Sequence, residues 1–172
     1  MSHENFSEHL YEQDIALLHL DQDLVFSPSL LPVCLPPPGP NTYHGQLAIL
    51  TGWGRHWDSG PLAPSLEHVH LSILSNKQCM EWYGRSGYPQ HIPEDTFLCA
   101  GFEEGGRDAC SGDSGGPLVV YRADLRAELV GVVSWGLGCG EARRPGVYTR
   151  VSSFLPWIEG VVGRGQLYVE EV

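Results

Sequence analysis

Thirty-four of the chain's 172 residues are glycine or proline, 21 and 13 respectively. Turn-formers at that density break a chain into short pieces and favour many strands joined by turns over long helices. The prolines are clustered: Pro28, Pro32, Pro36, Pro37, Pro38 and Pro40 all fall within residues 27–45. Proline cannot donate to a strand ladder, so this stretch reads as an extended connector between two packed units. Apolar segments with strand character lie on both sides. Ile15–Leu20 precedes the connector. After it come Leu47–Thr51, then Val69, Leu71 and Ile73 alternating with His68, His70 and Ser72. Leu118–Tyr121 and Leu129–Val133 follow, joined by the charged turn Arg122–Glu128, and then Val147–Val151. Ser152 reads as the N-cap of a short final helix carrying Phe154, Trp157, Ile158, Val161 and Val162, with Pro156 in its first turn. Residues 163–172 read as a frayed tail. No internal repeat is present, and the expected class is an all-β barrel or sandwich.

Ten Lys and Arg stand against 21 Asp and Glu, a net charge of −11. That balance excludes the basic stripe of a nucleic-acid binder. With 42% apolar residues it also excludes a disordered acidic tail, so the charge is mostly solvated surface that steers basic substrates weakly at most. No apolar run reaches the ~20 residues that span a bilayer. Residues 1–20 carry Glu4, Glu8, Glu12 and Asp14 and do not read as a signal peptide. The five cysteines, Cys34, Cys79, Cys99, Cys110 and Cys139, nevertheless suggest an oxidising compartment, and none forms the C-x-x-C pair of a zinc ribbon. Their spacing alone leaves the pairing open, with one cysteine over. The Asn5-Phe6-Ser7 sequon is consistent with export. An exported chain without an export signal reads as the C-terminal piece of a longer protein.

The chemistry concentrates in Asp108-Ala109-Cys110-Ser111-Gly112-Asp113-Ser114-Gly115-Gly116-Pro117. A serine sits in a glycine-rich turn, where glycine permits unusual backbone angles and close approach of a substrate. The N–H groups of Gly112 and Ser114 can converge on one point, as an oxyanion hole requires. One acid directly precedes Ser114 and another lies six residues before it.

At these residues the chain resembles the trypsin-like serine proteases of the chymotrypsin fold, and the resemblance runs almost from end to end. Asp14-Ile15-Ala16-Leu17-Leu18 resembles the segment of the triad aspartate, and Pro32-Val33-Cys34-Leu35-Pro36 the inter-barrel linker. Thr51-Gly52-Trp53-Gly54 resembles the opening of the second barrel. Ser134-Trp135-Gly136 resembles the substrate-binding strand, and Pro145-Gly146-Val147-Tyr148 the far wall of the specificity pocket. Gly60-Pro61-Leu62 and His91-Ile92-Pro93 resemble arthropod Stubble-like or clotting-cascade members. The fold so implied is a chymotrypsin-like antiparallel β-barrel with a short C-terminal helix. Residues 1–26 would be a remnant of the first barrel, 27–46 the inter-barrel linker, 47–162 the second barrel and helix, and 163–172 a tail. Together they would make one N-terminally truncated peptidase domain.

By the same resemblance Ser114 is the nucleophile, Asp14 the acid that orients the histidine, and Gly112 and Ser114 the oxyanion donors. Asp108 forms the base of a pocket for Arg or Lys, with Ser134, Trp135, Gly136 and Gly146 as its walls. Ala109 tilts the preference to Arg, because it offers no hydroxyl to an ammonium while a guanidinium still pairs with the carboxylate as a planar fork. Asp113 pairs with the new N-terminus formed on zymogen cleavage. Cys79 pairs with Cys99 and Cys110 with Cys139, leaving Cys34 to bridge to an upstream pro-region. The implied activity is endopeptidase cleavage after Arg and Lys through an acyl-enzyme, outside the cell, either secreted or on a cell-surface ectodomain. No cofactor and no metal is expected.

The family's Ala-Ala-His-Cys segment and activation site are missing from this chain, and only His3 and His9 precede Asp14. Loss of such a histidine costs about 10⁶-fold in turnover, so the chain alone is expected to be inactive. Two other readings stand beside the protease: a non-catalytic homologue serving as a binding partner in a cascade, and a truncated product without function of its own. His68 and His70 would share a strand face as metal ligands do, but solvent-facing histidines are by far the stronger reading. Trp57, Trp82, Tyr83 and Tyr88 read as loop and rim residues.

Overall fold

The computed structural model describes residues 1–38, 43–88 and 90–163. Six strands close into an antiparallel barrel: β1 (Leu47–Gly52), β2 (Glu67–Leu74), β3 (Phe97–Ala100), β4 (Pro117–Tyr121), β5 (Ala127–Trp135) and β6 (Gly146–Arg150). Their order around the barrel is β1-β2-β3-β6-β5-β4, and β4 returns to β1 through Ile49–Val119 and Leu50–Leu118. Alternation along β1, β2 and β4, read from the sequence only for β2, sets which residues point inward. Ala48 and Leu50 of β1, Leu71 and Ile73 of β2, and Leu118 and Val120 of β4 face the interior. There they meet Leu98, Val130, Val133 and Tyr148. Each large apolar side chain so buried contributes roughly 2 kcal/mol. Glycine at 131 leaves room for Tyr148, since an added Cβ would lie 3.0 Å from the Cβ of Tyr148. β6 is buried at every residue. Tyr148 points into the barrel, while Val147 packs into a second cluster with Leu74, Cys79, Trp82, Tyr83 and Phe97.

That second cluster is organised by a helix the sequence reading did not anticipate, α1 (Asn76–Arg85). Trp82 and Tyr83 lie on it and are buried, so they are not rim residues. Its signals were local. Ser75 caps the first turn, its hydroxyl accepting from the N–H of Gln78 at 3.1 Å, and Ser75-x-x-Gln78 has the spacing of a capping box. Cys79, Trp82 and Tyr83 then fall on one face at helical spacing. Trp57 and Tyr88, by contrast, are exposed as expected.

Three further expectations are corrected. Ile15–Leu20 forms no strand: its only ladder contact is an isolated bridge between Ala16 and Ser2. Ile15 and Leu17 instead pack on a third cluster formed by Val151, Phe154, Leu155 and Ile158, while Leu18 is exposed. Ser152 is not the N-cap of the last helix. It is buried within a 3₁₀ turn, Val151–Phe154, and α2 (Leu155–Val162) begins after Phe154 with Pro156 in its first turn. This turn also ends β6 at Arg150, one residue earlier than expected. Glu128 belongs to β5 and not to the charged turn; it is buried, and its carboxylate accepts from the hydroxyl of Tyr43 at 2.5 Å. Pro40 of the connector and residues 164–172 of the expected tail lie outside the described residues.

Candidate active site

The two internal disulfides are Cys79–Cys99 and Cys110–Cys139, and Cys34 is free. The first ties α1 to β3. The second joins the glycine-rich turn to the segment after β5, across 29 residues of sequence. It brings opposite walls of one cavity together.

That cavity, of about 200 Å³, is lined by Asp108, Ala109, Ser114, Ser134, Trp135, Gly136 and Gly146, among others. Ser114 is exposed at its mouth. Asp108 also lines it, half-buried, accepting from the N–H of Ala109 at 2.8 Å and of Gly140 at 3.1 Å. Burial pushes its carboxyl up to about 7; bonds from the backbone of Gly140, Ala109 and Gly146 pull the other way without cancelling it. Glycine at 146 is required by space, because a Cβ there would stand 2.6 Å from Oδ1 of Asp108. The Gly146 wall is fixed from behind by α1: the hydroxyl of Tyr83 donates to the carbonyl of Pro145 at 2.7 Å, and its ring packs near that of Trp135.

The turn around Ser114 is held by Asp113, which is buried. One carboxylate oxygen accepts from the N–H of Gly54 at 2.8 Å and the other from that of Cys110 at 3.0 Å. Gly112 has φ +103°, a backbone region costly for other residues. Behind Asp113 lies a second cavity of about 410 Å³, lined by Gly52, Gly54, His68, Gly140 and others.

Asp14 reaches this site from a segment without regular structure. The hydroxyl of Ser134 donates to its carboxylate at 2.7 Å, and that of Thr149 donates to its main-chain carbonyl at 2.6 Å. Ser134 is placed by a bulge: Val133 pairs with Tyr148 and Trp135 with Val147, so Ser134 is the extra residue. Such bulges re-aim side chains. The structure thus brings Ser114, Asp108, Ala109, Ser134, Trp135, Gly136 and Gly146 around one cavity, with Asp14 one hydrogen bond away through Ser134. The sequence reading had not assigned Thr149, Tyr83 or the cavity-lining Asp58 any part in it. His68 and His70 have ring centroids 5.7 Å apart. Among the described residues no group of three or more His, Cys, Asp or Glu is placed to hold a metal ion.

A closed antiparallel barrel bearing an exposed serine beside an acid-floored cavity is the architecture of the second barrel of a chymotrypsin-fold protease. Comparison with known proteins agrees: the sequence matches the Trypsin family over residues 1–158. It is 47% identical to serine proteinase stubble of Drosophila melanogaster over 156 residues, 91% of this chain and 20% of that protein. It is 38% identical to serine protease filzig of the same organism, across 94% of this chain and 9% of that protein. With human transmembrane protease serine 11B it shares 40% identity, across 94% of this chain and 38% of that protein. The chain belongs to the trypsin family of serine proteases, and it spans well under half the length of these relatives.

Proposed function

We propose that this chain is the specificity-bearing part of an extracellular serine endopeptidase that cleaves after Arg in preference to Lys. The observation that carries the reading is the single cavity shared by Ser114 and Asp108. A basic side chain filling it would place its charge on the Asp108 carboxylate and its carbonyl at the Ser114 hydroxyl. Ala109 beside that carboxylate favours the guanidinium fork over an ammonium. The Ser114 oxygen attacks the scissile carbonyl, and its proton passes to a histidine oriented by Asp14. The N–H groups of Gly112 and Ser114 hold the oxyanion. The amine leaves with that proton, and water then hydrolyses the acyl-enzyme.

In this reading neither histidine that precedes Asp14 is the base: His3 packs edge-on against Phe154 and tilted against Trp157, and His9 is exposed. The base would be supplied from outside this chain, and the chain alone is expected to be inactive. A new N-terminus formed on zymogen cleavage would enter the cavity behind Asp113 and pair with its carboxylate. Cys34 is clamped to β5 by its N–H on the Ala127 carbonyl at 3.0 Å and its carbonyl on the Leu129 N–H at 2.9 Å. Its thiol is left to bridge to an upstream pro-region. The two disulfides and the exported character of such proteases support the extracellular setting. Among the described residues no helix is long and apolar enough to cross a membrane.

The test is hydrolysis of peptide amides ending in Arg, Lys or Phe by the activated protease containing this chain, by its Ser114→Ala variant and by the 172-residue chain alone. Arg is expected to be fastest, and only the first protein to turn over. A preference for Phe would refute the role of Asp108. No turnover by the full protease would leave the non-catalytic homologue.

A further inference from the structure

Two carboxylates line the cavity that holds Ser114: Asp108 at its base, and Asp58. Asp58 is exposed, and nothing in the reaction described above uses it. It lies in the loop between Arg55 and Leu62, which the structure folds tightly. Arg55 and Leu62 form an isolated bridge, the Arg55 guanidinium donates to the carbonyl of Gly60, and Gly60 N–H donates to the carbonyl of Trp57 at 3.0 Å. The loop is also pinned to the nucleophile turn, with Arg55 N–H on the Ser111 carbonyl at 3.0 Å.

The loop's position fixes which part of a substrate Asp58 meets. Ser114 lies between two neighbours. On one side Gly115 N–H bonds the Val133 carbonyl, joining the turn to β5 and so to Ser134–Gly136. On the other side Gly112 lies against Gly54 and Leu62, where an added Cβ would be 3.1 Å from Cα of Gly54 and 2.7 Å from Cδ2 of Leu62. A substrate whose acyl half follows Ser134–Gly136 must send its leaving half past Gly112 and towards this loop.

We propose that Asp58 is a specificity-determining residue that selects Lys or Arg at the first or second position after the cleaved bond. This rests on the protease reading above. The enzyme would then favour sites with basic residues on both sides of the scissile bond, one read by Asp108 and one by Asp58. Because Asp58 is exposed, its pairing is modest, about 2- to 5-fold in kcat/KM, and it weakens as salt rises.

The experiment uses the activated protease containing this chain and peptides with Arg before the cleaved bond and Lys, Ala or Glu in the two positions after it. The readout is the Lys-to-Ala and Glu-to-Ala ratio of kcat/KM within each enzyme, so a poorly folded variant still gives an interpretable value. The expected order is Lys over Ala over Glu. That order should flatten in Asp58→Asn, invert in Asp58→Lys, persist in Asp58→Glu, and shrink in 1 M salt. Ratios unchanged in Asp58→Asn, or equal in the unaltered enzyme, overturn the proposal. An Arg-coumarin amide with no residues after the cleaved bond reads the parent function separately. If the unaltered enzyme fails to hydrolyse it, the protease reading falls and this proposal with it; if it hydrolyses it without the Lys preference, only the role of Asp58 falls.

Discussion

The cavity predicts a specific pH dependence for the binding of a small amidinium such as benzamidine to the 172-residue chain, because the part of the fold that forms the cavity lies within it. The amidinium stays charged throughout the neutral range, so the titrating partner is Asp108. Burial places that carboxyl at about 7. The protonated acid cannot pair with a cation, so only the ionised fraction binds, and the apparent affinity scales with that fraction. For a group at about 7, roughly nine-tenths are ionised at pH 8 and about one in a hundred at pH 5. Affinity should therefore fall about 90-fold from pH 8 to pH 5, close to 2.7 kcal/mol. The sign follows from the chemistry: binding strengthens as pH rises through 7 and then levels off. Binding at pH 6 should also release close to one proton, which calorimetry in buffers of different ionisation enthalpy reads directly. An ordinary surface aspartate near 3.9 would give almost the same affinity at pH 5 and pH 8. A flat profile across that range would refute the claim that burial sets the charge of this pocket. Asp108→Asn should bind weakly and without pH dependence; full affinity in that variant would show that the cation sits elsewhere.

Two structural changes probe the cavity and the framework around it. Gly146→Ala places a methyl group 2.6 Å from the Asp108 carboxylate. It should cost benzamidine at least about 10-fold in affinity and also lower stability by about 1–3 kcal/mol, since the same methyl would lie 2.9 Å from the hydroxyl and 3.0 Å from Cε2 of the buried Tyr148; unchanged affinity would mean that Gly146 is not a wall. Replacing Cys110 and Cys139 by serine frees a loop with 29 residues of separation. It should lower unfolding free energy by about 3–4 kcal/mol in the chain-entropy estimate, measured by denaturant titration, and a loss below ~1 kcal/mol would show that packing alone holds the turn.

The parts of this fold that were legible in the sequence are those where one residue type has one use. Alternation in β2 was legible because that strand has one face in the barrel. The glycine-rich turn was legible because Gly112, Asp113 and Ser114 leave few other conformations. Helix α1 was missed because its polar residues and its two large aromatics, read without the Ser75 cap, look like a loop. Ile15–Leu20 misled for a different reason. A strand needs a partner, and apolar residues supply only the burial, which here is met by Val151, Phe154 and Ile158. The charge of Glu128 also argued for a turn. Only the fold shows that Tyr43, 85 residues away in sequence, donates a hydrogen bond that lets the carboxylate stay buried.

The position of Asp14 shows how much of the site depends on β5. Its own segment makes no sheet, yet its carboxylate and main-chain carbonyl are both fixed by hydroxyls of neighbouring strands, Ser134 of β5 and Thr149 of β6. Ser134 sits where the ladder between β5 and β6 slips by one residue, between Val133 and Trp135. The next residue, Trp135, lines the cavity that Asp108 floors. At its opposite end β5 holds Cys34 through Ala127 and Leu129. One strand therefore holds the connector at its start and, at its end, both Asp14, the proposed relay acid, and a wall of the Asp108 cavity. A change of register in β5 would move the Ser134 hydroxyl off Asp14 and Trp135 out of the cavity wall together, so under the proposed mechanism it should disturb binding and proton transfer at once.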